Sequence, residues 1–281
     1  MSKKKLPDIQ NTKPDIFKPV DLVGVKGVVL PFRIKESNNN GDGKEILQKV
    51  ICTISASVSL SSFRRGINMS RVVRVLNKYV NYEISKSLIR EILENLCKSL
   101  QSEKAKISME FLYLRKKQAP KSKEIGWVYY PITLSGFLDK EDNDFTYWLK
   151  VGVNYTSLCE CSKEISEYGA HNQRSLAEVF IFCDDENDLP VVDRIIDVIE
   201  KNASCEIYSV LKRVDEKYVT ERAYKRPRFV ETMCRNVSHG LEKLGFENFI
   251  VVVTHYESIH QHDAFAVIYK GRTKIIPRED L

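Results

Sequence analysis

Strand and helix signals come in the order strand–strand–helix–helix–strand–strand, and then in that order again. This doubled pattern constrains the 281-residue chain more than any other feature. Leu22–Ile34 is rich in Val and Leu and broken by Gly24 and Gly27, which predicts a strand with a bend or bulge. The turn-forming run Ser37–Gly43 separates it from Val50–Leu60. There Ile54, Ala56, Val58 and Leu60 alternate with Ser55, Ser57 and Ser59, the pattern of a half-buried hairpin partner. Ser70 is the expected N-cap of a helix over Arg71–Tyr79, and Ser85 of a longer helix to about Gln101. In the second helix Leu88, Ile92, Leu96 and Leu100 recur every four residues, a stripe that lies on a core. Strands are expected at Ala105–Leu114 and Trp127–Leu138, with the charged, Pro120-containing stretch Arg115–Lys123 as a turn.

The polar run Asp139–Asp144 marks the boundary between halves. Strands follow at Phe145–Asn154 and Ser175–Cys183. A helix starts at Leu189-Pro190 with Val192, Ile195, Ile196 and Ile199 on one face. Glu206–Leu211 is either a short strand or the end of a connection. Phe229–Leu244 is helical with Gly245 as its stop, and strands follow at Phe249–Thr254 and Ala264–Lys270. Short connections between successive strands imply antiparallel pairing and an α+β fold. The expected organisation is a flexible tail over residues 1–18, a first unit over 19–142 and a second over 143–281. The two halves share an order of elements and no residue-level repeat.

A hydrophobic share of 43% and a charged share of 29% are those of a soluble globular protein. The net charge of +6 is mild. It suits either a solvated basic surface or an enzyme with a phosphorylated small-molecule substrate and is milder than the clustered excess of many nucleic-acid binders; neither nucleic acid nor membrane is expected as a partner. Seven cysteines follow an N-terminus, Met-Ser-Lys-Lys-Lys-Leu-Pro, with no apolar segment behind it. The expectation is a reducing cytoplasm with free thiols. No apolar run approaches the ~18 residues that a spanning helix needs.

Ser157–Ser175 packs two thiols, an imidazole and three carboxylates into a segment whose only large aliphatic residues are Leu158 and Ile165. Cys159 and His171 suit a borderline metal or nucleophile–base chemistry, and the segment alone leaves both open. Cys159 and Cys161 lack the Cys-x-x-Cys spacing of zinc ribbons, which disfavours a structural Cys₄ zinc. All five histidines lie after residue 170, so the second half is expected to carry the chemistry. Tyr256–Asp263 lies between two apolar strands; it is either a loop that lets Glu257 and His260 reach one site or a hairpin turn with exposed polar residues. Glu231 follows Pro227 at a helix start. It is either a first-turn acid favoured by the helix dipole or a buried carboxylate that accepts two N–H bonds from a guanine-type ring. No Walker, Gly-x-Gly-x-x-Gly or Gly-x-Ser-x-Gly motif is present, which disfavours a P-loop NTPase, a Rossmann dehydrogenase and an α/β-hydrolase.

Five segments together resemble GTP cyclohydrolase I of the type IB family. They are Ser157–Lys163 with Tyr168–Ser175, then Asp215–Glu221, Pro227–Glu231, Glu257–Asp263 and, in the first half, Arg65–Arg71. Two departures stand out: Asn68 where the family usually has His, and Glu160 where it usually has Pro. The resemblance implies tandem tunnelling-fold (T-fold) units, each a four-stranded antiparallel sheet with two helices on one face. It also implies a closed homo-oligomer, a tetramer, with active sites at subunit interfaces. It implies conversion of GTP and water to 7,8-dihydroneopterin triphosphate and formate, the first step of tetrahydrofolate synthesis. A divalent metal (Zn, Mn or Fe) is implied, with Cys159, Glu216, Glu257 and His260 as ligands. Cys159 and His171 are the implied catalytic residues, with His171 the proton carrier, and Glu231 is the purine anchor. Arg64, Arg65, Arg71, Lys212 and Arg213 are candidate triphosphate cations.

Three alternatives remain open at this level. One is a T-fold nitrile reductase of queuosine synthesis, with a nucleophilic cysteine and NADPH. Another is a non-catalytic purine-binding protein. The third is a cyclohydrolase whose product is a cyclic phosphate.

Overall fold

A computed structural model describes residues 9–36, 46–182 and 190–271. The Ser37–Gly43 turn, Cys183 and Leu189 lie outside the described residues, as does residues 1–8 of the tail. Within the rest of the tail, Ile9–Asn11 form a 3₁₀ turn.

The fold is α+β. Its strands are β1 (Val20–Glu36), β2 (Ile46–Leu60), β3 (Lys104–Gln118), β4 (Ile125–Asp139), β5 (Asp144–Leu158), β6 (Asn172–Phe182), β7 (Cys205–Glu206), β8 (Phe249–His255) and β9 (Ala264–Lys270). They form one sheet in the order β1-β2-β3-β4-β5-β6-β8-β9, with β7 beside β5. The helices are α1 (Met69–Asn77), α2 (Lys86–Leu100), α3 (Glu160–Ile165), α4 (Pro190–Asn202), α5 (Arg213–Lys225) and α6 (Val230–Lys243). Neighbouring strands follow sequence order from β1 to β4 and again through β5, β6, β8 and β9; helices bridge β2 to β3 and β6 to β8, and the paired strands β1/β2, β2/β3, β6/β8 and β8/β9 run antiparallel.

By its internal contacts the chain divides into two compact units that interleave in sequence. Among the described residues one comprises 9–36, 46–111 and 133–148; the other 112–132, 149–182 and 190–271.

In the first unit β1 and β2 pair antiparallel from Val20↔Leu60 to Glu36↔Ile46, with register shifts at Val20/Val23 and Val25/Val28. The expected bulges are therefore present. Gly27 has φ +77° at the second, and a Cβ on Gly24 would collide with the Ala56 carbonyl oxygen. Cys52, Ile54, Ala56 and Val58 are buried as the alternation requires, and Leu88, Ile92, Leu96 and Leu100 bury the α2 stripe. Ser85 caps α2 as expected, accepting the Leu88 N–H at 3.1 Å. Ser70 does not cap α1. That role falls to Asn68, whose side chain accepts the Arg71 N–H at 3.3 Å. Asn is as good an N-cap as Ser and starts the helix two residues earlier, so one departure from the family pattern has a structural use here.

In the second unit β3 runs on to Gln118, past the point where a turn was expected. The reason is ionic. Tyr113 Oη meets Asp193 at 3.1 Å, Arg115 meets Asp197 at 2.8 Å and Lys117 meets Glu200 at 2.6 Å. Residues two apart share a strand face, and residues 193, 197 and 200 share a helix face, so charge holds an extension that apolar patterning did not signal. Ile195, Ile196 and Ile199 of α4 are fully buried. β8 pairs with both β6 and β9, from Phe249 to His255. Gly245, at φ +89°, ends the region of α6 as expected. Two helices were not foreseen, α3 and α5. Only Asp215 and Ala223 of α5 are buried, so the helix carries no apolar stripe. Among the described residues no helix is long and apolar enough to cross a membrane.

Candidate active site

A cavity of about 200 Å³ in the second unit gathers Cys159, Gln173, Glu231, His255 and Glu257. Arg228, Phe229, Val230 and Ala264 complete its wall. Four separate chain segments supply these side chains.

Cys159 stands where β5 ends and α3 begins. It is the N-cap of α3, with Sγ accepting the Ser162 N–H at 3.4 Å. Its own N–H donates to the His171 carbonyl at 3.1 Å, which closes the loop between the two residues singled out in the sequence. Leu158, just before it, donates its N–H to Ser204 Oγ at 3.2 Å and accepts the Arg228 N–H at 3.0 Å. The thiol therefore sits on backbone that is fixed from both sides. The Arg228 guanidinium is turned to the carbonyls of Asn202 and Pro227, at 3.0 and 2.9 Å.

His171 and Glu257 meet through Gln173. Gln173 is buried, 7% exposed. Its Oε1 lies 3.1 Å from His171 Nδ1, and its Nε2 donates to Glu257 Oε1 at 3.4 Å. Ser258 Oγ is a second neighbour of His171 Nδ1 at 3.4 Å. The Glu257 N–H donates to Asp263 at 3.2 Å, which folds the 256–263 loop back on itself.

His255, at the end of β8, is 3% exposed. Its Nε2 lies 3.0 Å from the hydroxyl of Tyr155, which is itself fully buried. Burial pushes the His255 imidazole down to about 4, against an opposing pull from the Glu231 charge, so it is neutral at pH 7. Burial pushes the Tyr155 hydroxyl well above its usual value, so it keeps its proton. Glu231 is exposed in the first turn of α6, not buried as the purine-anchor reading expected, and the helix N-cap, Phe229, offers no side-chain bond.

The remaining expected site residues lie outside this lining. Glu216 is exposed in the first turn of α5. The neighbouring Asp215 is buried and accepts three N–H bonds, from Lys121 at 2.7 Å and from Ser122 and Lys212 at 2.9 Å. Burial alone would raise its carboxyl. The bonds from Ser122, Lys212 and Lys121 outweigh that and hold it well below the usual carboxylate range. His260 is exposed on the 256–263 loop and stacks on His262, with ring centroids 5.1 Å apart. Lys212 forms an ion pair with Glu124. In the first unit Arg65 pairs with Asp15 at 3.1 Å, and Arg71 reaches the Ser99 carbonyl at 3.4 Å. Arg64 reaches the Leu100 carbonyl at 2.5 Å. Arg64 and Arg71 thus satisfy carbonyls at the C-terminus of α2, a position that favours cations.

Among the described residues no three His, Cys, Asp or Glu side chains converge as a metal cluster. Of the expected ligands, Cys159 and Glu257 share the cavity. A thiol and a carboxylate, with imidazole nearby, fit a first-row divalent ion in donor chemistry.

Sequence reasoning missed two cavity residues, Gln173 and His255. Extending the β6 alternation backwards from Val179 and Ala177 through Ser175 would have put Gln173 on the buried face. His255 is one residue past an apolar run and gave no such signal.

Comparison with known proteins gives the family. The family model of type I GTP cyclohydrolase folE2 matches residues 6–266. A protein named GTP cyclohydrolase FolE2 from Methylobacillus flagellatus is 40% identical over 271 residues, 95% of this chain and 96% of its own. Another of that name from Thermotoga neapolitana is 37% identical over 272 residues, 94% and 97% of the two chains. The uricase of Arthrobacter globiformis, at 6% identity, superposes with a TM-score of 0.52 over 92% of this chain and 96% of its own, and so shares the fold. The chain belongs to the type I GTP cyclohydrolase folE2 family.

Proposed function

We propose that this protein is a metal-dependent GTP cyclohydrolase that converts GTP and water to 7,8-dihydroneopterin triphosphate and formate, the entry step of tetrahydrofolate synthesis. The observation that carries the reading is the single cavity shared by Cys159, Glu231 and Glu257, three residues expected in the site from motifs far apart in sequence. Its volume of about 200 Å³ is below the ~300–1,000 Å³ of drug-sized pockets. It suits one ring system, with the triphosphate outside.

Glu231 accepts the two N–H groups on the edge of guanine, a pairing that a carboxylate matches in geometry and charge. Cys159, Glu216, Glu257 and His260 are the proposed ligands of a zinc, manganese or iron ion. When bound, the ion supplies a nucleophile for C8 by lowering the pKa of water toward ~7. His171 carries protons as the imidazole ring of the base opens and formate leaves. Lys212, Arg65 and Arg71 are proposed to face the triphosphate, which requires their present partners to yield. We also propose a cytoplasmic homotetramer of tandem T-fold units with sites at subunit interfaces.

The test is turnover. Protein loaded with Zn²⁺, Mn²⁺ or Fe²⁺ is incubated with GTP and assayed for formate and, after oxidation, a fluorescent pterin. Both form with at least one metal if the proposal holds, and absence of both with all three contradicts it.

A further inference from the structure

We propose that Gln173 is a positioning residue that selects the tautomer of His171 by being held between that ring and Glu257. The chemistry of the three groups leaves one arrangement. A carboxylate accepts hydrogen bonds and does not donate them, so the Gln173 group facing Glu257 Oε1 at 3.4 Å is the amide NH₂. The other end of the same amide, 3.1 Å from His171 Nδ1, is then the carbonyl oxygen, which only accepts. Nδ1 must therefore carry the ring proton, and Nε2 keeps the lone pair. This assignment follows from the partners and does not depend on which amide atom was labelled oxygen.

The amide has little freedom to reverse. Gln173 is 7% exposed on β6, between the exposed Asn172 and Arg174. Reversal would set carbonyl oxygen against carboxylate oxygen, a like-signed contact in a buried place. Cys159 joins the same chain of contacts, because its N–H donates to the His171 carbonyl at 3.1 Å. The ring is thereby tied to the thiol through backbone and to Glu257 through Gln173. The Ser258 hydroxyl, 3.4 Å from Nδ1, can accept the same proton less directly.

The proposal rests on His171 as the proton carrier only for its effect on turnover, and the two parts are read separately. Tautomer is read by ¹⁵N–¹H long-range correlation on metal-free, ¹⁵N-histidine-labelled protein at about pH 8. Wild type shows His171 protonated at Nδ1. Gln173→Glu keeps an acceptor at that place and retains the tautomer. Gln173→Leu with Ser258→Ala removes both acceptors and loses the preference. An unchanged tautomer in the double variant, or a changed one in Gln173→Glu, overturns the proposal. In metal-loaded protein, Gln173→Leu lowers kcat about 10–100-fold, the usual effect of losing an orienting partner, with KM for GTP held within about twofold. A raised KM at unchanged kcat would make Gln173 a substrate-binding group and overturn the positioning role. A shifted tautomer with undiminished kcat would support the clamp and remove His171 from the chemistry. Circular dichroism of each variant confirms that the comparison is between folded proteins.

Discussion

Tyr155→Phe removes one buried oxygen behind the cavity residue His255 and leaves the ring in place. In the wild type the Tyr155 hydroxyl lies 3.0 Å from His255 Nε2, and both residues are almost wholly buried. A typical hydrogen bond contributes about 0.5–1.5 kcal/mol net, while a buried group left without its partner costs about 1–3 kcal/mol. The expected loss is therefore about 1–3 kcal/mol, toward the lower end if water from the adjoining cavity reaches Nε2. Urea unfolding at pH 7 measures it, with an unchanged m-value showing that the variant unfolds over the same surface. His255→Leu supplies the other arm of a double-mutant cycle. Removing both polar partners relieves the orphaned nitrogen, so the double variant should be less destabilised than the sum of the singles by about 0.5–3 kcal/mol. Additivity within about 0.5 kcal/mol would refute the pair as a stabilising unit.

The same pair predicts a pH dependence in metal-free protein. The His255 value falls from 6.5 to about 4 on folding, so the unfolded chain binds the proton more readily. The contribution is complete above pH ~6.5 and is lost as pH falls toward 4, an upper limit of about 3 kcal/mol. His255→Leu should lack that slope.

Three further outcomes follow from the site. Asp215→Asn should weaken the protein at pH 7 and flatten its acid limb. A carboxylate held below its usual range stabilises the fold above its unfolded value, and that contribution is lost as pH falls through the folded one; superimposable pH–stability curves for variant and wild type would argue against it. Glu231→Gln should raise KM for GTP about tenfold or more, because an amide presents NH₂ to at least one guanine N–H; an unchanged KM would remove Glu231 as the anchor. Cys159→Ala should abolish turnover and lower metal content by elemental analysis, and wild-type activity would take the thiol out of the mechanism.

The doubled order of strands and helices was legible because burial on one face leaves a period. Ile54, Ala56 and Val58, or Leu88, Ile92 and Leu96, report their surroundings locally. Elements held by charge left no such trace. The outer end of β3 depends on Asp193, Asp197 and Glu200, some 80 residues away. Helix α5 depends on the buried Asp215 carboxylate in place of an apolar face. The site divides in the same way. Cys159, Glu231 and Glu257 stood out because polar residues gathered where packing gave them no reason to be. His255 is polar by type but placed like a core residue, and its partner Tyr155 is 100 positions earlier. Gln173 differs from its neighbours only by burial, which the strand alternation implies once β6 is extended back to Asn172.

The most direct measurement follows the fate of one carbon. GTP labelled with ¹³C at C8 is turned over by metal-loaded protein, and the products are observed by ¹³C NMR. A GTP cyclohydrolase releases all the label as formate and none remains in the pterin. Label retained in the nucleotide or in a formylated product, with no [¹³C]formate, would contradict the assignment.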